Sequence, residues 1–139
     1  RVEGLADHEG GDEEEDDERE EEDGDGPIQA MRQALGDAGA RLDEVDYLNA
    51  HGTSTPMNDR SECAAVNAVF GAGAKAVAVS STKSVMGHLI AAAGAVEAGV
   101  CALAIRDGLM PPNANLQQQD PDCDVDIVRD VYRAYSGAR

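Results

Sequence analysis

The spacing of apolar residues divides the sequence into alternating helical and extended segments. Two short runs, residues 45–50 and 76–81, consist mostly of apolar residues and predict buried strands, and Val77 and Val79 of the second are β-branched at alternate positions. Val125, Ile127 and Val131 alternate in a third predicted strand. Helical periodicity occupies the intervals between these runs. Crossovers of this length favour a layered α/β domain whose sheet is mostly parallel.

Two of the predicted helices have one apolar face. The first begins in the turn at Gly26-Pro27 and ends at Gly39. Its apolar face consists of Met31, Ala34, Leu35 and Ala38. The second helix has the spacing of a capping box, with Asp59 followed three residues later by Glu62. Its apolar face consists of Cys63, Val66 and Phe70.

A third helix is predicted from about residue 87 to residue 107, and it is rich in Ala and Gly. Small residues on most of its faces permit close packing on several sides, so we expect this helix to be buried and central. Its apolar stretch is long enough to raise the question of a membrane span. However, it contains Glu97 and is bounded by His88 and Arg106. A helix buried in a soluble protein is therefore the favoured interpretation.

The net charge of −17 is concentrated at the amino-terminal end. Residues 1–26 contain fifteen acidic residues against Arg1 and Arg19, whereas residues 27–139 contain thirteen acidic and nine basic residues. The acidic run cannot bury enough apolar surface to offset chain entropy, so we expect residues 1–26 to be a disordered segment and residues 27–139 to form the folded domain. Nucleic acid and anionic membranes are excluded as partners, because the chain offers them no basic surface.

The cysteines Cys63, Cys101 and Cys123 are odd in number and lack CxxC spacing. This pattern argues against a disulfide framework and against a zinc site, and it fits a reduced, cytoplasmic setting. Each thiol lies in an apolar or acidic context without an adjacent base. We therefore expect all three to be structural, with no nucleophile visible in the chain.

Ionisable side chains follow two of the predicted strands. His51 directly follows the first strand, and Lys83 and His88 come shortly after the second. Parallel α/β sheets bind ligands beyond the carboxyl ends of their strands, so these residues are candidates for a site at that edge. Gly52 permits close approach of the backbone. Three hydroxyl residues that can line a polar channel come next: Thr53, Ser54 and Thr55.

The two histidines are candidates for stabilising an oxyanion. His88 is predicted in the first turn of the third helix, where backbone N–H groups and the helix dipole favour a neutral ring that donates a hydrogen bond. Glu97 is a candidate partner for Lys83. Structural interpretations stay open: His51 as a core histidine, Lys83 as a solvated loop residue and Glu97 as a surface position. A metal site is disfavoured, because no third ligand has useful spacing.

Two motifs contain these candidate residues in a fixed order. The first is Asn49-Ala50-His51-Gly52-Thr53-Ser54-Thr55-Pro56, and the second runs from Ser80 through Lys83 and Gly87-His88 to Ala92-Ala93-Gly94-Ala95-Val96-Glu97. Together with Pro111-Pro112-Asn113 and Asn115-Leu116 they closely resemble the carboxyl-terminal half of β-ketoacyl-acyl-carrier-protein synthases, the elongating condensing enzymes. The likeness extends from about residue 27 to residue 129.

The resemblance implies a thiolase-like half-domain and a decarboxylative Claisen condensation in fatty acid or polyketide synthesis. Malonyl-carrier protein loses carbon dioxide, and the resulting enolate attacks an acyl chain held on a cysteine. The residues that match the family's catalytic groups are the oxyanion-stabilising pair His51 and His88 and the supporting charged pair Lys83 and Glu97. Thr53 and Thr55 match hydroxyls that hold the pantetheine arm. Acyl carrier protein is the implied partner, its phosphopantetheine carries the substrates, and no further cofactor or metal is expected.

The family's nucleophilic cysteine belongs to an amino-terminal half, where this sequence has its acidic segment. The Gly-rich segment with Phe that normally follows the last strand is also not found. We therefore expect a carboxyl-terminal portion of a synthase that is inactive in condensation alone and needs a polypeptide supplying the other half. Intact members of the family are oligomeric, which implies a homo-oligomer. Two alternatives are a module that binds or decarboxylates malonyl thioesters without condensation, and an interaction protein acting through its acidic tail.

Overall fold

The computed structural model describes residues 25–134. In chain order its helices and strands are α1 (Asp25–Ala38), β1 (Tyr47–Asn49), α2 (Pro56–Phe70), β2 (Ala78–Ser80), α3 (Lys83–Met86), α4 (Ala93–Asp107), β3 (Leu109–Met110), β4 (Asp126–Ile127) and β5 (Arg133–Ala134). Short 3₁₀ helices lie at Leu42–Glu44, Gly71–Ala76 and Ile90–Ala92. The predicted acidic segment lies outside the described residues except for its last two, which already belong to α1.

The strands β1, β2 and β4 form a parallel sheet in the order β1-β2-β4, which confirms the predicted α/β architecture. The register pairs Tyr47 with Ala78 and Ala78 with Asp126. Helix α2 lies in the connection from β1 to β2, and α4 lies in the connection from β2 to β4. Because the strands are parallel, their carboxyl ends meet at one edge of the sheet, where ligands of such folds bind.

The third predicted strand is correct at Ile127, whereas Val125 and Val131 lie outside β4. Val131 is 72% exposed. The preceding Asp130 adopts a left-handed backbone conformation, with φ at 58°, which ends the extended segment. The chain then enters β5, which pairs antiparallel with β3. This two-stranded ribbon was not predicted, since strands of two residues carry no detectable periodicity.

The main apolar core lies between the sheet and helices α1 and α2. Its buried centre contains Val66 and Phe70 of α2 together with Val79 of β2, which confirms the predicted apolar face of α2. Met31 and Leu35 of α1 pack against the same cluster, whereas the two alanines of the predicted α1 face are exposed. The core therefore fixes α2 against the sheet, next to the carboxyl end of β1.

The Ala/Gly-rich helix begins later and is less buried than predicted. It starts at Ala93, because Gly87 and Ile90 adopt φ angles of 76° and 50°, which an α-helix does not accommodate. Within the described part of the chain only Ala93 and Ala104 of α4 are buried, so the expected burial of this helix is wrong. Large apolar side chains on and around α4 are exposed: Val85, Met86, Leu89, Ile90, Val96, Leu103, Ile105 and Leu109. None of the helices between residues 25 and 134 is long and apolar enough to cross a membrane.

Candidate active site

His51 and His88 lie beyond the carboxyl ends of the neighbouring strands β1 and β2. Their ring centroids are 5.2 Å apart, and the two rings are nearly perpendicular, at 83°. The structure therefore brings together the two histidines that the sequence singled out, although α2, β2 and α3 separate them along the chain. Both residues are exposed, so the interpretation of His51 as a core histidine is wrong.

The loop that carries His51 is fixed from two sides. The backbone N–H groups of His51 and Gly52 donate to the Glu62 carboxylate of α2, at 2.6 and 2.8 Å. The Ser81 hydroxyl, at the end of β2, donates to the His51 carbonyl at 3.2 Å. Gly52 has φ at 44°, and a Cβ atom added there would lie 2.4 Å from the Ser81 Cβ. Only glycine fits at this position, which lets the two strand ends approach closely.

Asp59 and Glu62 do not form the predicted capping box. Helix α2 begins at Pro56, with Thr55 as a cap residue whose side chain makes no capping hydrogen bond. Asp59 accepts the backbone N–H of Ser54 at 3.2 Å. The prediction fails because Pro56 takes the first helical position and moves the helix start upstream of Asp59. Both carboxylates are thereby free to hold the histidine loop.

His88 lies in the loop between α3 and α4 rather than in the first turn of a helix. The expected effect of a helix dipole on its ring therefore does not apply. The His88 Nδ1 accepts the backbone N–H of Ile90 at 3.0 Å. An accepting Nδ1 carries no proton, so the neutral ring has its proton on Nε2, which can donate to an oxygen atom of a ligand.

Lys83 and Glu97 form an ion pair that joins the start of α3 to α4. The two side chains are only 6% and 16% exposed. The predicted partnership is confirmed, and the interpretations of Lys83 as a solvated residue and of Glu97 as a surface position are wrong. The pair holds Lys83 at the cleft that His88 also lines.

The cleft has a volume of about 400 Å³, and its lining includes Thr53 together with His88. His51 is not part of the lining, but its ring contacts that of His88, which is. The hydroxyls of Thr53 and Thr55 lie 3.0 Å apart and share a hydrogen bond. Thr55, however, lines a neighbouring cavity of about 280 Å³. The structure therefore places the Thr53 hydroxyl at the cleft and Thr55 at the neighbouring cavity.

The opposite wall of the cleft comes from residues 113–116, which sequence reasoning did not assign to the site. The Asn113 Oδ1 accepts the backbone N–H of Ser81 at 2.6 Å. The Ser84 hydroxyl donates to the Ser81 carbonyl at 2.8 Å and accepts the backbone N–H of Ala114 at 3.0 Å. These bonds attach the wall to the end of β2. The motif Pro111-Pro112-Asn113 was the available signal, but spacing alone cannot show which backbone group its amide meets.

The thiols lie away from the cleft lining. Burial raises the pKa of Cys63, Cys101 and Cys123, which keeps these thiols protonated at neutral pH. Among residues 25–134, no group of three or more His, Cys, Asp or Glu side chains is arranged to hold a metal ion. The cysteines of the described chain therefore have the properties of structural thiols rather than of a nucleophile.

Residues 5–117 match the family described as "Beta-ketoacyl synthase, C-terminal domain". The chain belongs to this family. It is 49% identical over 109 residues to nodulation protein E of Rhizobium sp. (strain N33), a match that covers 78% of the chain and 27% of that protein. It is 48% identical over 106 residues to 3-oxoacyl-[acyl-carrier-protein] synthase 2 of Staphylococcus aureus, with 76% of the chain and 26% of that protein covered.

Solved ketosynthase structures share the fold. One is a type II polyketide synthase acyl carrier protein in complex with its ketosynthase, matched with a TM-score of 0.78 and 37% sequence identity. The match covers 82% of this chain and 28% of the solved chain. Another is a β-ketoacyl synthase from Burkholderia phymatum, with a TM-score of 0.72 and 37% identity over 78% of the chain and 26% of the matched chain. The predicted thiolase-like half-domain is confirmed, and the chain spans about a quarter of the length of these relatives.

Proposed function

We propose that the chain supplies the histidine-bearing part of a β-ketoacyl-acyl-carrier-protein synthase, which condenses a malonyl thioester with an acyl thioester in fatty acid or polyketide synthesis. The observation that carries the proposal is the contact of His51 with His88 at the carboxyl edge of the parallel sheet, in a chain of this family. Two imidazole rings in contact, one of which lines the cleft, suit a reaction in which negative charge develops on a single oxygen.

The histidines act on the enolate that forms from the malonyl thioester. Loss of carbon dioxide leaves the electron pair of the broken C–C bond on the thioester, whose carbonyl oxygen becomes negatively charged. His88 donates its Nε2 proton in a hydrogen bond to this oxygen, because its Nδ1 is already occupied by the Ile90 N–H. His51 donates a second hydrogen bond. The enolate carbon then attacks the acyl thioester carbonyl, and the thiolate that held the acyl group leaves.

Lys83, Glu97 and the threonines have supporting roles in this proposal. Lys83 lines the cleft and is held there by Glu97, so its positive charge favours the developing enolate without occupying the oxyanion position. Thr53 offers its hydroxyl to the pantetheine arm of the substrate. Thr55 orients the Thr53 hydroxyl through the hydrogen bond between them. The substrates arrive on phosphopantetheine, and no other cofactor enters the scheme.

The cysteine that holds the acyl chain comes from another polypeptide segment in this proposal. The three thiols of the chain lie away from the cleft lining, and the relatives are about four times longer than the matched region. Such a segment can pack against the exposed apolar residues around α4, which otherwise leave a large apolar surface in water: Val85, Ile90, Leu103 and Ile105. We propose acyl carrier protein as the partner of the completed synthase, as in the ketosynthase complex of similar fold. By analogy with the family, the completed synthase is a homo-oligomer.

A chimeric synthase tests this function. The segment of the Staphylococcus aureus 3-oxoacyl-[acyl-carrier-protein] synthase 2 that aligns with this chain is replaced by the corresponding residues of this chain, and condensation of malonyl- with acyl-carrier protein is measured. We expect condensation by the chimera and none by the chain alone. A folded chimera that accepts the acyl group on its cysteine but never condenses it contradicts the proposal, and so does condensation by the chain alone.

A further inference from the structure

We propose that Asn113 is a positioning residue of the histidine pair, because its side chain fixes the end of strand β2 that holds the His51 loop. The path consists of two hydrogen bonds. The Asn113 Oδ1 accepts the backbone N–H of Ser81 at 2.6 Å, and the Ser81 hydroxyl donates to the His51 carbonyl at 3.2 Å. The effect on the reaction rests on the proposed function, whereas the geometry can be measured without substrate.

The Asn113 side chain completes a sheet edge that strand β4 does not reach. The Val79 carbonyl of β2 accepts the backbone N–H of Val128, so residue 79 faces the β4 side of the strand. Backbone groups two residues further along an extended strand face the same side, so the Ser81 N–H does too. Strand β4 ends at Ile127, and the Asn113 amide oxygen supplies the acceptor in its place.

The backbone of Asn113 is itself fixed. Its N–H donates to the Val128 carbonyl at 2.8 Å, and its carbonyl accepts the N–H of Asp130 at 3.4 Å. These bonds belong to a parallel bridge between Asn113 and Arg129. Because both polar backbone groups of Asn113 are bonded, its side-chain oxygen is held at a defined place opposite Ser81.

A second contact attaches the carbonyl of Ser81 to the same wall of the cleft. The Ser84 hydroxyl donates to the Ser81 carbonyl at 2.8 Å and accepts the N–H of Ala114 at 3.0 Å. The wall therefore holds Ser81 at both of its polar backbone groups. The Ser81 hydroxyl, which donates to His51, also accepts the Lys83 N–H at 3.4 Å, so it connects the histidine loop to the start of α3.

Loss of the Asn113 oxygen would displace the His51 ring from the His88 ring. Ser81 is only 4% exposed, so its N–H would be left buried without an acceptor, and the end of β2 would shift to satisfy it. The His51 loop would move as well, because a Cβ at Gly52 would lie only 2.4 Å from the Ser81 Cβ. A displacement of about 1 Å in a catalytic group slows a reaction by up to about 10²-fold.

Nuclear magnetic resonance of the full chain tests the inference without substrate. Ring centroids 5.2 Å apart bring protons of His51 and His88 close enough for a nuclear Overhauser effect between the rings. Asn113→Leu should abolish this effect, because leucine fills a similar volume and offers no acceptor. Asn113→Asp should keep it, since a carboxylate oxygen can accept the Ser81 N–H. Circular dichroism shows whether each variant is folded.

Asn67→Leu is the matched control. Asn67 donates to the carbonyls of Cys63 and Asp124, away from the cleft lining, so the same change there should leave the effect between the rings intact. Ser81→Ala keeps the backbone bonds to the wall and removes only the hydroxyl, so it should weaken the effect even if Asn113→Leu does not fold. An undiminished effect in folded Asn113→Leu or in Ser81→Ala would overturn the inference, and so would its loss in Asn113→Asp.

Carbon dioxide release by the chimeric synthase measures what this geometry contributes to the proposed reaction. Asn113→Leu should lower kcat by about 10–10²-fold and leave KM nearly unchanged, because a positioning residue acts on the histidines rather than on the bound substrate. An unchanged kcat, or an equal loss in Asn67→Leu, would overturn the inference. A chimera that is inactive with Asn113 intact counts against the proposed function, and the measurement between the rings then decides this inference by itself.

Discussion

Removal of the Glu97 carboxylate is expected to destabilise the chain strongly. The side chains of Lys83 and Glu97 are 6% and 16% exposed, so Glu97→Gln leaves the Lys83 ammonium group buried without a counter-charge. Breaking a buried ion pair in this way costs about 3–5 kcal/mol. A small domain is stable by only about 5–15 kcal/mol, so the loss is a large fraction of the free energy of unfolding.

The exposed pair of Lys75 and Asp124 supplies the control, with side chains 55% and 77% exposed. Asp124→Asn should cost less than about 1 kcal/mol, because water already solvates both charges. Urea unfolding of the full chain, followed by circular dichroism, measures both variants. The double variant Lys83→Met, Glu97→Leu should recover much of the loss, since no unpaired charge is left buried. A Glu97→Gln variant as stable as Asp124→Asn would refute the reasoning.

Two further predictions concern the surroundings of the site. Gly52→Ala should lower the free energy of unfolding by about 2 kcal/mol or more, because residue 52 has a positive φ and the new Cβ would collide with Ser81. Gly73→Ala is the control, since no atom lies within 4 Å of its new Cβ. It should change the free energy of unfolding little in the same urea assay. Burial raises the pKa of Tyr47 from 10.0 to about 12. An ultraviolet titration should therefore show a tyrosine transition near pH 12 that Tyr47→Phe removes. The contribution of neutral Tyr47 to the free energy of unfolding is full below pH 10 and is lost as the pH rises towards 12. If Tyr47→Phe leaves the titration unchanged, the assignment of the late transition to Tyr47 is contradicted.

The parts of the fold that depend on local pattern could be predicted from the sequence. The apolar face of α2 and the strand that contains Val79 follow from periodicity, and both are observed. The start of α4 could not be predicted, because the positive φ angles at Gly87 and Ile90, between α3 and α4, leave no mark on the apolar periodicity. The exposure of α4 could not be predicted either, because burial depends on what covers a helix face rather than on the composition of that face.

The site was predictable where chemistry is carried by side chains with few alternative uses. His51, His88 and the Lys83–Glu97 pair are such groups, and the structure brings them together. The role of Glu62 could not be predicted in this way. Its carboxylate accepts backbone N–H groups of a loop eleven and ten positions earlier, whereas helical spacing suggested a cap. Contacts from a side chain to a distant backbone depend on the tertiary arrangement, so spacing along the sequence does not show them.

The central claim is that His51 and His88 stabilise the enolate of the malonyl thioester. The most direct test measures the release of carbon dioxide from malonyl-carrier protein by the chimeric synthase. His88→Ala and His51→Ala should each slow release by about 10²–10³-fold, the usual effect of removing one oxyanion donor, while transfer of the acyl group to the cysteine continues. Lys75→Met, a substitution on the exposed surface, should leave release unchanged. Undiminished carbon dioxide release from either histidine variant would contradict the account.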